Sequence, residues 1–146
     1  MPSTKSFLVL VVIIGVLAGL MYNNSVRQKH LSQVALAKEL HKAMGAMMTD
    51  LRQGRAGSVK GVPADGKWHH EIAFSTIKEG AIEYRLSGES GSDLNRTSAG
   101  VSQTIAAHIG TLNLRRQAAD NSLMEVQLQA RNNLSLTSNF KIRMQE

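Results

Sequence analysis

KSFLVLVVIIGVLAGLMYNN, residues 5–24, is the stretch whose reading decides the fold. One lysine is followed by sixteen uncharged residues, Phe7–Tyr22, and then two asparagines. As a helix those sixteen residues rise ~24 Å. That is a little short of the ~30 Å hydrocarbon core, so a bilayer would have to thin around it or recruit its flanks. A cleaved secretory leader has a similar profile. Lys5 would supply its charged start, and Val16-Leu17-Ala18 would precede the cut.

The segment that follows favours an anchor. Residues 23–53 contain no proline and one glycine, Gly45, so nothing breaks the chain away from the apolar run. Apolar residues fall at Val34, Ala37, Leu40, Met44, Met47, Met48 and Leu51, a helical spacing that makes one stripe. The expectation is one helix from about residue 6 to about residue 53, greasy all round at first and amphipathic later.

Residues 54–67, GRAGSVKGVPADGK, hold four glycines and a proline and read as the loop that stops the helix. Gly54 is placed to cap its C-terminus. Beyond the loop the period changes to two. WHHEIAFS (68–75), AIEYRL (81–86), LMEVQLQAR (123–131) and NFKIRM (139–144) alternate apolar and polar residues and read as strands. Lys78-Glu79-Gly80 turns between the first two, making a hairpin. GESGSD (88–93) reads as a loop. Residues 101–116 are ambiguous in their first half and strand-like in TLNLRR.

Short alternating strands predict an antiparallel sheet with one wet face. Its dry face needs a cover, and the methionine-striped segment is the candidate. The fold class is therefore α+β, a long N-terminal helix packed on an antiparallel sheet. The expected division is a short cytoplasmic terminus (1–6), a transmembrane helix (7–22), an amphipathic stem (23–53) and a sheet head (54–146). Leu40, Met44, Met47, Met48 and Leu51 are the expected stem-to-sheet contacts.

Composition narrows the function. There is no cysteine, which excludes disulfides, thiolate metal sites and cysteine nucleophiles. The net charge is +6. Residues 1–54 carry six Lys/Arg against two acids, and 55–146 carry eleven against nine. The excess is concentrated near the apolar run, where lipid headgroups are a better partner than nucleic acid. Aromatics are 4% of the chain, too few for a base-stacking surface.

No phosphate loop, nucleophile elbow or paired-carboxylate motif is present, so no enzyme activity, cofactor or metal is expected. In His69-His70-Glu71, read as strand, His69 and Glu71 share a face while His70 points the other way, and two ligands on one face are too few for a metal without a third from elsewhere. Arg115-Arg116 reads as a solvated strand end. Gly15 and Gly19 form G-x-x-x-G, a spacing that lets helices approach closely.

Several stretches, in this order, resemble type IV pilins and the pseudopilins of type II secretion. VVIIGVLAGLM resembles the pilin membrane run. MGAMMTDLRQGRAGSV resembles the helix end of J-like minor pseudopilins, AIEYRLSG with LNR their central hairpin, and IAAHIGTLNL and LTSNFKIRM their last strands. The resemblance implies a pilin-like fold and a structural role in an assembly. Phe7, Leu10, Val11, Ile14, Gly15, Ala18, Gly19 and Tyr22 would form the membrane helix and assembly face. Other pilin-like subunits, the bilayer and the assembly machinery would be partners. The head would lie outside the inner membrane. Aligned on Gly15, the chain lacks the prepilin glycine and puts Ser6 where the family has a buried glutamate. That departure implies a minor, tip or initiating subunit, which has no neighbour above it to pair with the acid. An exported soluble binding domain with a cleaved leader, and a DNA-binding minor pilin, stay open as alternatives.

Overall fold

The computed structural model describes residues 4–146, with side chains for 11–27, 32–133 and 135–146. The first element is α1, Thr4–Gln53. The absence of proline lets one helix persist, and Arg52 in its last turn complements the helix dipole. Two compact units divide within α1, after Ala35.

The second unit, Leu36–Glu146, holds the core. Seven strands follow the helix: β1 (Glu71–Thr76), β2 (Gly80–Ser87), β3 (Asp93–Ser98), β4 (Val101–Ala106), β5 (Ile109–Arg116), β6 (Leu123–Ala130) and β7 (Asn133–Arg143). The expected single sheet is two antiparallel meanders, β1-β2-β3-β4 and β5-β6-β7. They part because the segment before β1 changes partner. β1 runs with β2 from Glu71, whereas His69 exchanges two 2.8 Å backbone hydrogen bonds with Leu114 of β5. Trp68, His69 and His70 therefore lie outside β1, although the alternation reads on through them.

Period-two patterning orients the strands as expected. Ile72, Phe74, Ile82, Tyr84, Leu112, Leu114, Met124, Val126 and Leu128 turn inward. The ambiguous 101–116 stretch resolves into β4 and β5. Its hinge is at Ala107-His108, where His108 takes φ 59°.

Leu40, Ala43, Met47 and Leu51 of α1 are buried in the same cluster as the inward residues of both sheets. Leu36, Met44 and Met48 are partly buried against it. Val34 and Ala37, expected in the stripe, are exposed. At ~100° per residue the buried line is centred about 60° round the helix from the expected one. Small Ala43, fully buried, forms part of the contact in place of bulkier residues.

Gly54 corrects the capping expectation. It is not among the glycines with positive φ, so it is no left-handed cap. A Cβ there would lie 2.6 Å from Phe74 Cδ2 and 2.8 Å from Met144 Cε. The residue is glycine because β1 and the chain's end close over the helix terminus. The chain then runs extended, Arg55 N–H donating to Ser75 and Ala56 N–H to Gln145.

Among the described residues no helix is long and apolar enough to cross a membrane. The expected span begins at Phe7, and the side chains of Phe7 through Leu10 lie outside those described. The described apolar stretch, Val11–Tyr22, rises only ~18 Å.

Met47→Ala should lower unfolding free energy by about 3 kcal/mol in urea melts, because it leaves a cavity at a fully buried site. Gly54→Ala should cost about 1–3 kcal/mol by overpacking. Losses under half of these would mean that neither site is closely packed.

Candidate assembly surface

The chemistry of the first unit is apolar exposure. Val11, Val12, Ile13, Ile14, Val16, Leu17, Leu20, Met21 and Tyr22 are all at least half exposed, Met21 reaching 75%. A helix apolar on every side has no solvent-facing stripe and needs an apolar surround. Soluble monomers rarely expose contiguous patches of this kind.

Val11, Ile14, Gly15, Ala18, Gly19 and Tyr22, expected as an assembly face, fall on one side at helical spacing. At Gly15 and Gly19 an added Cβ would meet nothing within 4 Å. Exposure alone does not single that side out, since the opposite side is equally bare. Phe7 and Leu10, expected on the same face, lie outside the residues with described side chains.

In the second unit the helix end is held by polar contacts that alternation does not reveal. Asp50 Oδ2 accepts the Tyr84 hydroxyl at 2.7 Å and Arg96 Nε at 2.6 Å. Arg96 also reaches Glu79, which accepts the Ser98 hydroxyl at 3.1 Å. Burial, and then the bond to Asp50, pushes the Tyr84 phenol well above its usual value, so it stays a donor. Glu79 is held below the usual carboxylate range by Arg96 and then Ser98. Further up the helix, Glu39 accepts the Ala107 N–H at 2.8 Å. The sequence signal for Asp50 is its position beside the buried line, between Met47 and Leu51.

The Arg115-Arg116 expectation is corrected for both residues. Arg116 is buried and donates to the carbonyls of Asn121 at 2.8 Å, Ala56 at 3.1 Å and Val62 at 3.4 Å. It ties the 54–67 segment to β5, and burial pulls its pKa down. Arg115 lies with its guanidinium carbon 4.4 Å from the centre of the Trp68 ring and donates to Glu125 at 2.7 Å. Lys141 reaches the other Glu125 oxygen at 2.7 Å. These three charges sit directly opposite one another across β5, β6 and β7. Lys141, and then Arg115, hold the Glu125 carboxyl below the usual range against the opposing effect of burial.

His69 Nε2 lies 3.1 Å from Asp65 Oδ1, and His70 Nδ1 lies 3.1 Å from the Leu112 carbonyl. Both line an open cleft of about 1010 Å³ with Trp68, Arg85 and Gly110. Among the described residues no group of three His, Cys, Asp or Glu side chains could hold a metal ion. No family model, curated protein or solved structure matches this chain.

Glu79 and Glu125 have folded pKa values depressed below those of the unfolded chain. Their stabilisation is therefore present above the ordinary carboxylate pKa of ~4.3 and lost as pH falls through the depressed folded values. The urea midpoint should hold steady from neutral pH down to ~5 and drop below ~4. Glu125→Gln should flatten part of that drop; an identical profile would remove Glu125 from the account.

Proposed function

We propose that this chain is a structural subunit of a pilus-like assembly. It would be a minor, tip or initiating pseudopilin of type II protein secretion, or a minor type IV pilin. The observation that carries the reading is that Val11–Tyr22, apolar on every side, belongs to the same helix whose last turns close the core of a two-sheet head. One element thus supplies both an interaction surface and the cover of the head.

The chemistry is burial of helix surface against lipid or neighbouring helices, at ~25 cal/mol per Å² of apolar area. Gly15 and Gly19 allow close approach to another helix. Other pilin-like subunits and the bilayer are the partners, and the head faces away from the cytoplasm. Taking the whole apolar run, Phe7–Tyr22, its ~24 Å fits a locally thinned bilayer. Ser6 in the place of a buried acid supports the tip position, where no subunit lies above.

The test is fractionation and intact mass of the full chain expressed with an export and assembly system. The reading predicts an uncleaved apolar segment, carbonate-resistant membrane association, and release by the pair Val12→Asp and Val16→Asp with the head's urea midpoint unchanged. A soluble monomer whose mass lacks Met1 through Ala18 would overturn it in favour of an exported binding domain. Salt-dependent retention of the full chain on DNA would favour the DNA-uptake alternative.

A further inference from the structure

Two sheets have four edges, and three of them are managed. β1 is covered by Lys60, which exchanges backbone bonds of 2.7 and 3.0 Å with Ala73, and by Gly54 opposite Thr76. β5 is covered by His69. β7 carries Lys141 and Arg143, the charges that deter edge pairing. β4 has none of these protections. VSQTIA contains neither charge nor proline, and Val101, Ser102, Gln103 and Thr104 are all exposed, Val101 at 70%.

The open backbone groups follow from the hairpin. Ala99 and Gly100 take φ 51° and 79°, the two-residue turn that matches strand twist. Ser98 and Val101 therefore form the closing hydrogen-bonded pair, and bonding to β3 alternates from there. Val101 and Gln103 bond to β3. Ser102 and Thr104 turn their N–H and C=O groups outward. The register shift opposite Ile105 ends the regular edge, which limits it to Val101–Thr104.

We propose that β4 pairs antiparallel with β4 of a second copy, centred on Gln103. The stretch is chemically palindromic about that residue: hydroxyls at Ser102 and Thr104, β-branched apolar residues at Val101 and Ile105. With Gln103 opposite its own copy, Ser102 faces Thr104 twice, and all the outward groups are satisfied by four backbone bonds. The two Gln103 amides lie side by side, and each Val101 meets the margin of Ile105. No like charges are opposed. A shift of two residues either way satisfies only one of the two outward pairs. The register is thus specified by the chain itself. So short an edge buries far less than the ~1,200 Å² of a stable interface. The pairing is weak in free solution and is favoured where copies are held close together.

The absence of cysteine makes a single-cysteine test clean. In this register Gln103 is a non-hydrogen-bonded pair with Cα atoms ~4.5 Å apart, within disulfide reach. Full-length Gln103→Cys in detergent micelles should give a disulfide-linked dimer on mild oxidation. Val101→Cys, offset from its own copy by ~13 Å, should give little. Ser102→Pro removes an outward N–H and no bond to β3. Added to Gln103→Cys it should cut the dimer yield about tenfold with an unchanged urea midpoint. Equal dimer yields from Val101→Cys and Gln103→Cys, or no effect of Ser102→Pro, would overturn the proposal. Membrane association of the same samples is read separately, so the pairing and the assembly reading fail independently.

Discussion

The head depends on one contact: the line Leu36, Leu40, Ala43, Met47 and Leu51 lying against two sheets that are not otherwise a closed core. Each sheet is a simple meander with one apolar face. A sheet that is apolar on one face must bury that face against another element. The helix segment removes the face from water and makes a single cluster of both sheets. The polar contacts around that line are better read as specifying its position than as supplying its strength. Asp50 receives Tyr84 from β2 and Arg96 from β3, so a rotation of the helix end would leave the buried Tyr84 phenol without its acceptor and take from Arg96 one of its two carboxylate partners. Glu39 on the Ala107 amide does the same further up.

Much of this was legible in the residues, and the misses have physical reasons. The helix, the β1–β2 hairpin and β6 follow from period alone, because strong alternation and an uninterrupted helical stripe have few other solutions. The stripe's centre is misplaced because alanine carries little weight in a hydrophobic pattern, while Ala43 is fully buried in the core cluster. β3 was missed because DLNRTS has one buried apolar residue, Leu94. Its other side chains work through Arg96, Asn95 and the edge hairpin. The split into two sheets was invisible because strand periodicity says which face is dry and nothing about which strand is next door.

Charge was the least legible layer. Arg116 reads like any strand-end cation, yet it is buried among carbonyls that the folded 54–67 segment and the β5–β6 turn provide. Gly54 reads like a helix cap, yet what excludes a side chain there is Phe74, twenty residues on, and Met144 at the far end of the chain. Apolar exposure in Val11–Tyr22 was the reverse case. Composition alone announced it, and the fold leaves it unburied, which is why the functional proposal begins there.

Hydrogen exchange along α1 of the full chain in detergent tests the central claim most directly. If the buried line seals the head, amides from Leu40 to Leu51 should exchange only through global unfolding. Their rates would match those of Tyr84 in β2 and Val126 in β6, and would slow together with any stabilising condition. Exchange of Leu40–Leu51 by local opening, orders of magnitude faster than a still-protected pair of sheets, would contradict the account.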